Sequence, residues 1–99
     1  MLKKKFDIYL CPCALEDLNT LIQFYKKLKF RLARNLIIEL NQTFAKLYNQ
    51  PYTLDEQKYK SINLSKLPVT VIYKIESHNI IILAIVHKNQ NFPNWIFRV

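Results

Sequence analysis

The chain has 99 residues, 51% of them apolar, with 15 Lys and Arg against 7 Asp and Glu and a formal charge of +8. That length holds one domain with a modest core, that apolar fraction excludes a disordered chain, and the complete lack of glycine excludes Gly-rich phosphate loops and dinucleotide fingerprints. So basic a domain points to a polyanionic partner (nucleic acid, an acidic protein or an anionic membrane surface), although 12 Lys against 3 Arg also fits a genome rich in A and T.

The first predicted element is a strand in "KKFDIYLC", with Phe6, Ile8 and Leu10 on one side and Asp7 and Tyr9 on the other. Cys11 and Cys13 follow, separated by Pro12. A C-x-C pair rarely has the geometry to close a disulfide. A tetrahedral metal site would need two more ligands. Only His78 and His87 could help, at no ligand-like spacing, so no metal is expected and both cysteines read as small apolar residues at a strand-to-helix junction. Pro12 suits the first turn of a helix, where its missing N–H is not needed. That helix reads "PCALEDLNTLIQFYKKL", with Ala14, Leu18, Leu21, Tyr25 and Leu28 as its apolar stripe. Glu16 and Asp17 are expected in its first turn and Lys26 and Lys27 in its last, matching the helix dipole.

A second helix is predicted from Arg31 to Asn49, with Ala33, Leu36, Ile37, Leu40, Phe44 and Leu47 facing inward. The short break around Leu28 to Phe30 makes the two an antiparallel hairpin. Asn49 and Pro51 end it, and "PYTLDEQ" is a loop. "KYKSINL" is a short strand; after Pro68, "VTVIYKIE" alternates Val69, Val71, Tyr73 and Ile75 against Thr70, Ile72 and Lys74. "SHN" is a tight turn, with Asn79 suited to a left-handed position. "IIILAIVH" is apolar on both faces, as in a strand covered on both sides. Alternation puts His87 with Ile81, Leu83 and Ile85, and Ile80, Ile82, Ala84 and Val86 opposite. The fold class is α+β, in the order β-α-α-β-β-β: a helical hairpin on a small, mostly antiparallel sheet, in one domain spanning residues 1–99. If the helices cover one face of the last strand, Phe92, Trp95 and Phe97 or a partner chain are expected to cover the other.

The longest apolar run, Ile80 to Val86, is far below the ~18 residues of a membrane span. Asp7 breaks the apolar stretch behind "MLKKKF", so no signal-peptide core forms, and the expected location is the cytoplasm without membrane attachment.

The ordered set "ALEDL", "FYKK", "LARNLIIEL", "LYNQP", "YKSI", "LPVTVIYKIESHNIIILAIVH" and a final "NWIFR" after Pro93 resembles the RelE/ParE family of toxins from bacterial type II toxin–antitoxin pairs. The likeness runs from about Lys5 to Arg98, and its ending, a strand closing in His followed by Pro, Trp and Arg, favours the ParE-like branch. The resemblance implies a growth poison without a cofactor, neutralised in a hetero-oligomer by a cognate acidic antitoxin. ParE-like toxins bind DNA gyrase and are not enzymes; RelE-like toxins enter the ribosome and cut mRNA. A third reading is an inactive member that retains antitoxin binding.

Metal-free RNA cleavage needs a base, an acid and cations for the phosphate charge. Histidine is the side chain suited to acid–base work near neutral pH, and His87 is the first candidate. Lys60 and Arg98, with Lys58 and Lys88, could supply cations, and Tyr73 is a weaker acid. Many relatives carry an Arg where this chain reads "YKSINL", and Lys lacks the bidentate fork of Arg. No Arg lies between Arg34 and Arg98, which favours a binding toxin directed at gyrase over a ribonuclease. On that reading Lys88, Trp95 and Arg98 are the expected target contacts. Packing is the competing role for His87 and Trp95. The acidic antitoxin is expected to seat between hairpin and sheet, near Leu21, Tyr25, Ile37 and Phe44.

Overall fold

The computed structural model describes residues 7–49, 59–76 and 79–88. In chain order these form β1 (Asp7–Leu10), α1 (Pro12–Leu28), α2 (Phe30–Asn49), β2 (Lys60–Asn63), β3 (Val69–Glu76) and β4 (Asn79–His87). The strands make one sheet in the order β1-β4-β3-β2. β1 runs parallel to β4, with Ile8 opposite Ile80 and Leu10 opposite Ile82, and the other two pairings are antiparallel. This is the expected α+β architecture with a mostly antiparallel sheet.

The hairpin reverses direction without a glycine. A helix commonly ends on a left-handed residue, usually Gly. Here the single residue between the helices, Lys29, is extended instead (φ −157°, ψ 132°), a conformation any residue adopts. Its N–H still donates to the Tyr25 carbonyl at 2.9 Å, and Leu32 N–H donates to the Lys29 carbonyl at 2.9 Å. The reversal is therefore hydrogen-bonded from both sides.

The core lies between hairpin and sheet. α1 contributes Ala14, Leu21 and Tyr25; α2 contributes Ala33, Leu36, Leu40 and Leu47; the sheet contributes Val69, Val71, Tyr73, Ile80, Ile82 and Ile85. Two expected stripe positions fall outside it. Leu28, the last residue of α1, is 57% exposed, and Ile37 is 38% exposed. The inward line of α2 runs Ala33, Leu36, Leu40, Thr43, Leu47, and one residue beyond Leu36 rotates Ile37 by about 100° around the helix. Glu16 and Asp17 also differ from expectation: the helix begins at Pro12, so the first turn holds no acidic residue and both lie in the second.

β4 departs from simple alternation. Ile72 of β3 pairs with Ala84, but Tyr73 pairs with Ile82, so Leu83 is an extra residue in β4. Such a bulge shifts every later side chain to the opposite face. Ile80, Ile82 and Ile85 all face the hairpin, whereas Leu83 and Ala84 join Ile72 in a second buried cluster on the other face, flanked by Tyr59, Ile81 and Val86. His87, cross-strand from Val69, consequently stands on the hairpin face with Ile85, not with Ile81 and Leu83 as alternation predicts. Phe92, Trp95 and Phe97, expected as a cover for the second face, lie outside the described residues, as do Phe6 and the "SH" of the predicted turn.

The strand-to-helix junction locks this edge. Cys11 N–H donates to the Ile82 carbonyl at 3.0 Å, closing the parallel ladder. β1 then leaves the sheet, and side chains take over its role: Cys11 Sγ–H donates to the Leu83 carbonyl (3.4 Å), and Asp17 Oδ2 accepts the Ile85 N–H (3.1 Å). Asp17 thus serves the backbone of β4 where the sheet has lost a strand.

Candidate functional site

The helix-facing end of β4 meets the last turns of α1. The bulge delivers His87, half-buried, against two aromatic rings on consecutive residues of α1. The His87 and Phe24 rings meet edge-on, with centroids 6.0 Å apart and planes at 75°; Tyr25 lies 6.3 Å from His87 at 42°, and Phe24 and Tyr25 are themselves 5.3 Å apart. Tyr25 points into the core, while Phe24 is 46% exposed. Lys88 is exposed just beyond, its N–H held by the Pro68 carbonyl at 2.8 Å.

Behind the rings lies a buried polar pair. Glu39 sits at a core-facing position of α2 and is only 6% exposed. Its Oε1 accepts the Lys66 N–H (2.8 Å) and the Ser65 hydroxyl (3.1 Å), tying α2 to the loop between β2 and β3. Its Oε2 and the Tyr25 hydroxyl are both buried without a hydrogen-bond partner among the described residues. Burial first, and then the Glu39 carboxylate, raise the Tyr25 phenol above the ordinary tyrosine pKa. A raised phenol pKa means that the folded state holds the proton more tightly. Its contribution is intact below the unfolded-state pKa and is lost as pH climbs through the folded value. Stability should therefore decline above about pH 10, and Tyr25→Phe should flatten that decline. At neutral pH the same variant removes an unpaired buried hydroxyl and should be neutral or stabilising, by up to about 1 kcal/mol. Urea melts of both proteins at neutral and alkaline pH check both arms.

Of the residues expected for ribonuclease chemistry, two described ones, Lys60 and His87, are not neighbours. Lys60 is cross-strand from Tyr73 and His87 from Val69. They are four residues apart along β3, roughly 13 Å, and on strands that flank β3 on opposite sides. Tyr73, the weaker acid candidate, is buried in the core. Lys58, Trp95, Arg98 and His78 lie outside the described residues. Among the expected antitoxin contacts, Leu21 and Tyr25 are buried in the core, Phe44 is half-buried against it, and Ile37 is exposed on α2. The hairpin and the sheet are thus filled against one another at Leu21 and Tyr25. Cys11 and Cys13 are free, half-buried thiols, and among the described residues no three His, Cys, Asp or Glu side chains gather as metal ligands.

Sequence reasoning missed Glu39 and Asp17. The signal for Glu39 was present: an acid three residues after Leu36 and four before Thr43 falls on the inward stripe. The signal for Asp17 was absent, because its partner lies 68 residues away in sequence.

No curated protein sequence matches the chain. Among solved structures, a chain from the "Chromosomal ParDE TA system from P. aeruginosa" superposes with a TM-score of 0.69 at 15% identity, covering 86% of this chain and 98% of that one. At that identity the likeness speaks to fold. The family described as ParE toxin of type II toxin-antitoxin system, parDE, matches residues 8–92, which takes in both helices and every strand but for Asp7, the first residue of β1. The chain belongs to the ParE toxin family of type II toxin–antitoxin systems.

Proposed function

We propose that the chain arrests bacterial growth by binding a cellular target, DNA gyrase, in the cytoplasm, and that a cognate acidic antitoxin neutralises it. The observation that favours binding over RNA cleavage is the separation of Lys60 from His87. Cleavage needs its base, its acid and its cations around one phosphate, and Lys60, the candidate cation, stands well away from His87, the candidate base or acid. His87 acts instead as the brace between β4 and the Phe24–Tyr25 pair, and Lys88 supplies a described cation for target contact, with Trp95 and Arg98 as further contacts. No described helix is long and apolar enough to cross a membrane.

For the antitoxin, charge is the main argument: a +8 surface attracts an acidic segment. Ile37 and Phe44 remain reachable from the outside of α2. Phe30 and Ile38, both exposed, extend that apolar surface, and Arg31 and Arg34 flank it with positive charge. An acidic amphipathic segment fits such a face.

Inducing the chain alone should stop growth, and co-expressing its cognate antitoxin should restore it. Gyrase–DNA cleavage complexes should accumulate without new mRNA ends. Codon-linked mRNA cuts would replace this reading with the ribonuclease one, and unimpeded growth would leave an inactive, antitoxin-binding member. His87→Ala should melt earlier while the folded fraction keeps its gyrase effect. Lost toxicity with unchanged stability would instead assign His87 to chemistry or target contact.

A further inference from the structure

The outward face of α1 borders a shallow, open cleft that the core does not use. Asn19, Thr20, Gln23, Phe24 and Lys27 line it, around a volume of about 410 Å³. These positions recur at three- and four-residue spacings, so they share one side of the helix. Phe24 is nearly half exposed, yet its ring is fixed by edge contacts to Tyr25 and His87. An aromatic surface that is both open and held in place is suited to stacking, because little conformational freedom is lost on contact. Asn19 and Gln23, one turn apart, each present a donor and an acceptor, and Thr20 adds a hydroxyl. Lys27 lies three residues beyond Phe24, and Lys88 follows the histidine that touches its ring.

An apolar peptide helix would need a row of anchors along this face. Among the described lining residues Phe24 is the sole apolar side chain, one anchor where such a helix needs several. The lining matches what a single-stranded nucleic acid offers: a π-face for the ring, polar base edges for the amides, and phosphate for the lysines. The net charge of +8 favours the same polyanion. We propose that this cleft binds single-stranded nucleic acid, stacking one base on Phe24 and placing an adjacent phosphate on Lys27. The proposal stands apart from the choice of gyrase as target and from any cleavage chemistry.

The test is fluorescence anisotropy of labelled oligothymidylate and oligouridylate with the purified full chain, titrated at low and moderate salt. Saturable binding that weakens with salt is expected. Phe24→Ala should weaken it roughly tenfold, within the range for loss of one base–aromatic stack. Phe24→Leu, which keeps apolar volume but has no π-face, should weaken it comparably, whereas Phe24→Trp should not. Lys27→Gln should lower both the affinity and its salt dependence. Thermal melts confirm that each variant is folded. Absence of saturable binding by the wild-type chain, or binding indifferent to Phe24→Ala, overturns the proposal. So does a polyglutamate peptide that binds as tightly with the same dependence on Phe24, which would make the cleft an acidic-peptide site.

Discussion

Leu36→Ala should cost about 3–4 kcal/mol of folding stability, within the range for truncating a fully buried leucine. Leu36 has no exposed surface and is among the largest fully enclosed side chains of the chain. It sits midway along α2, where the hairpin packs on the sheet, so neither helix end can fray to fill the space. Domains of this size are stable by only about 5–15 kcal/mol in all. The melting temperature should accordingly fall by more than 10 °C, at roughly 4–8 °C per kcal/mol. Ile37→Ala is the informative control. Sequence periodicity assigns both residues to the inward stripe, but the structure turns Ile37 outward, and its truncation should cost less than about 1 kcal/mol. Urea melts of the two variants read the difference directly. Equal losses would mean that α2 is rotated from the orientation described.

That contrast shows where periodicity stops being informative. The order of elements and the hairpin are legible because each rests on local chemistry: Pro12 at a helix start, alternation in Val69 to Ile75. The parallel pairing of β1 with β4 is not local. Residues 7–10 and 79–82 pair although both helices and two other strands lie between them in sequence. Nor is the bulge at Leu83 visible in "IIILAIVH", since an apolar run looks the same with or without a slipped register. Yet that one residue decides which face His87 occupies, and therefore that it meets Phe24 and Tyr25. The family was legible because it rests on an ordered set of segments, and the match over residues 8–92 takes in all of them but the closing "NWIFR" and the Pro93 before it. The site was less so. Its members come from β4 and α1, and their contact depends on the bulge and on the point at which β1 leaves the sheet.

Glu39→Ala should destabilise the fold by about 2–3 kcal/mol, and Glu39→Gln by less than about 1 kcal/mol. The alanine variant strips a charged acceptor from two donors at once, the Ser65 hydroxyl and the Lys66 N–H, and hydrogen bonds to charged groups are each worth roughly 1.5–3 kcal/mol. Part of that loss is offset, because the variant also removes the buried, unpartnered Oε2. Glutamine keeps one acceptor oxygen for the loop and exchanges the orphaned oxygen for a donor without a charge. It also removes the smaller of the two causes that raise the Tyr25 phenol. Absorbance titration of Glu39→Gln should therefore show Tyr25 ionising at lower pH than in the wild type, though still above an exposed tyrosine, since burial remains. The two readouts separate two roles. If Glu39 chiefly anchors the loop, the alanine variant loses stability while the glutamine variant stays near wild type. If its buried charge is instead a net cost, as buried ions often are, Glu39→Gln should be the more stable protein, and the loop contact would owe its strength to geometry and not to charge.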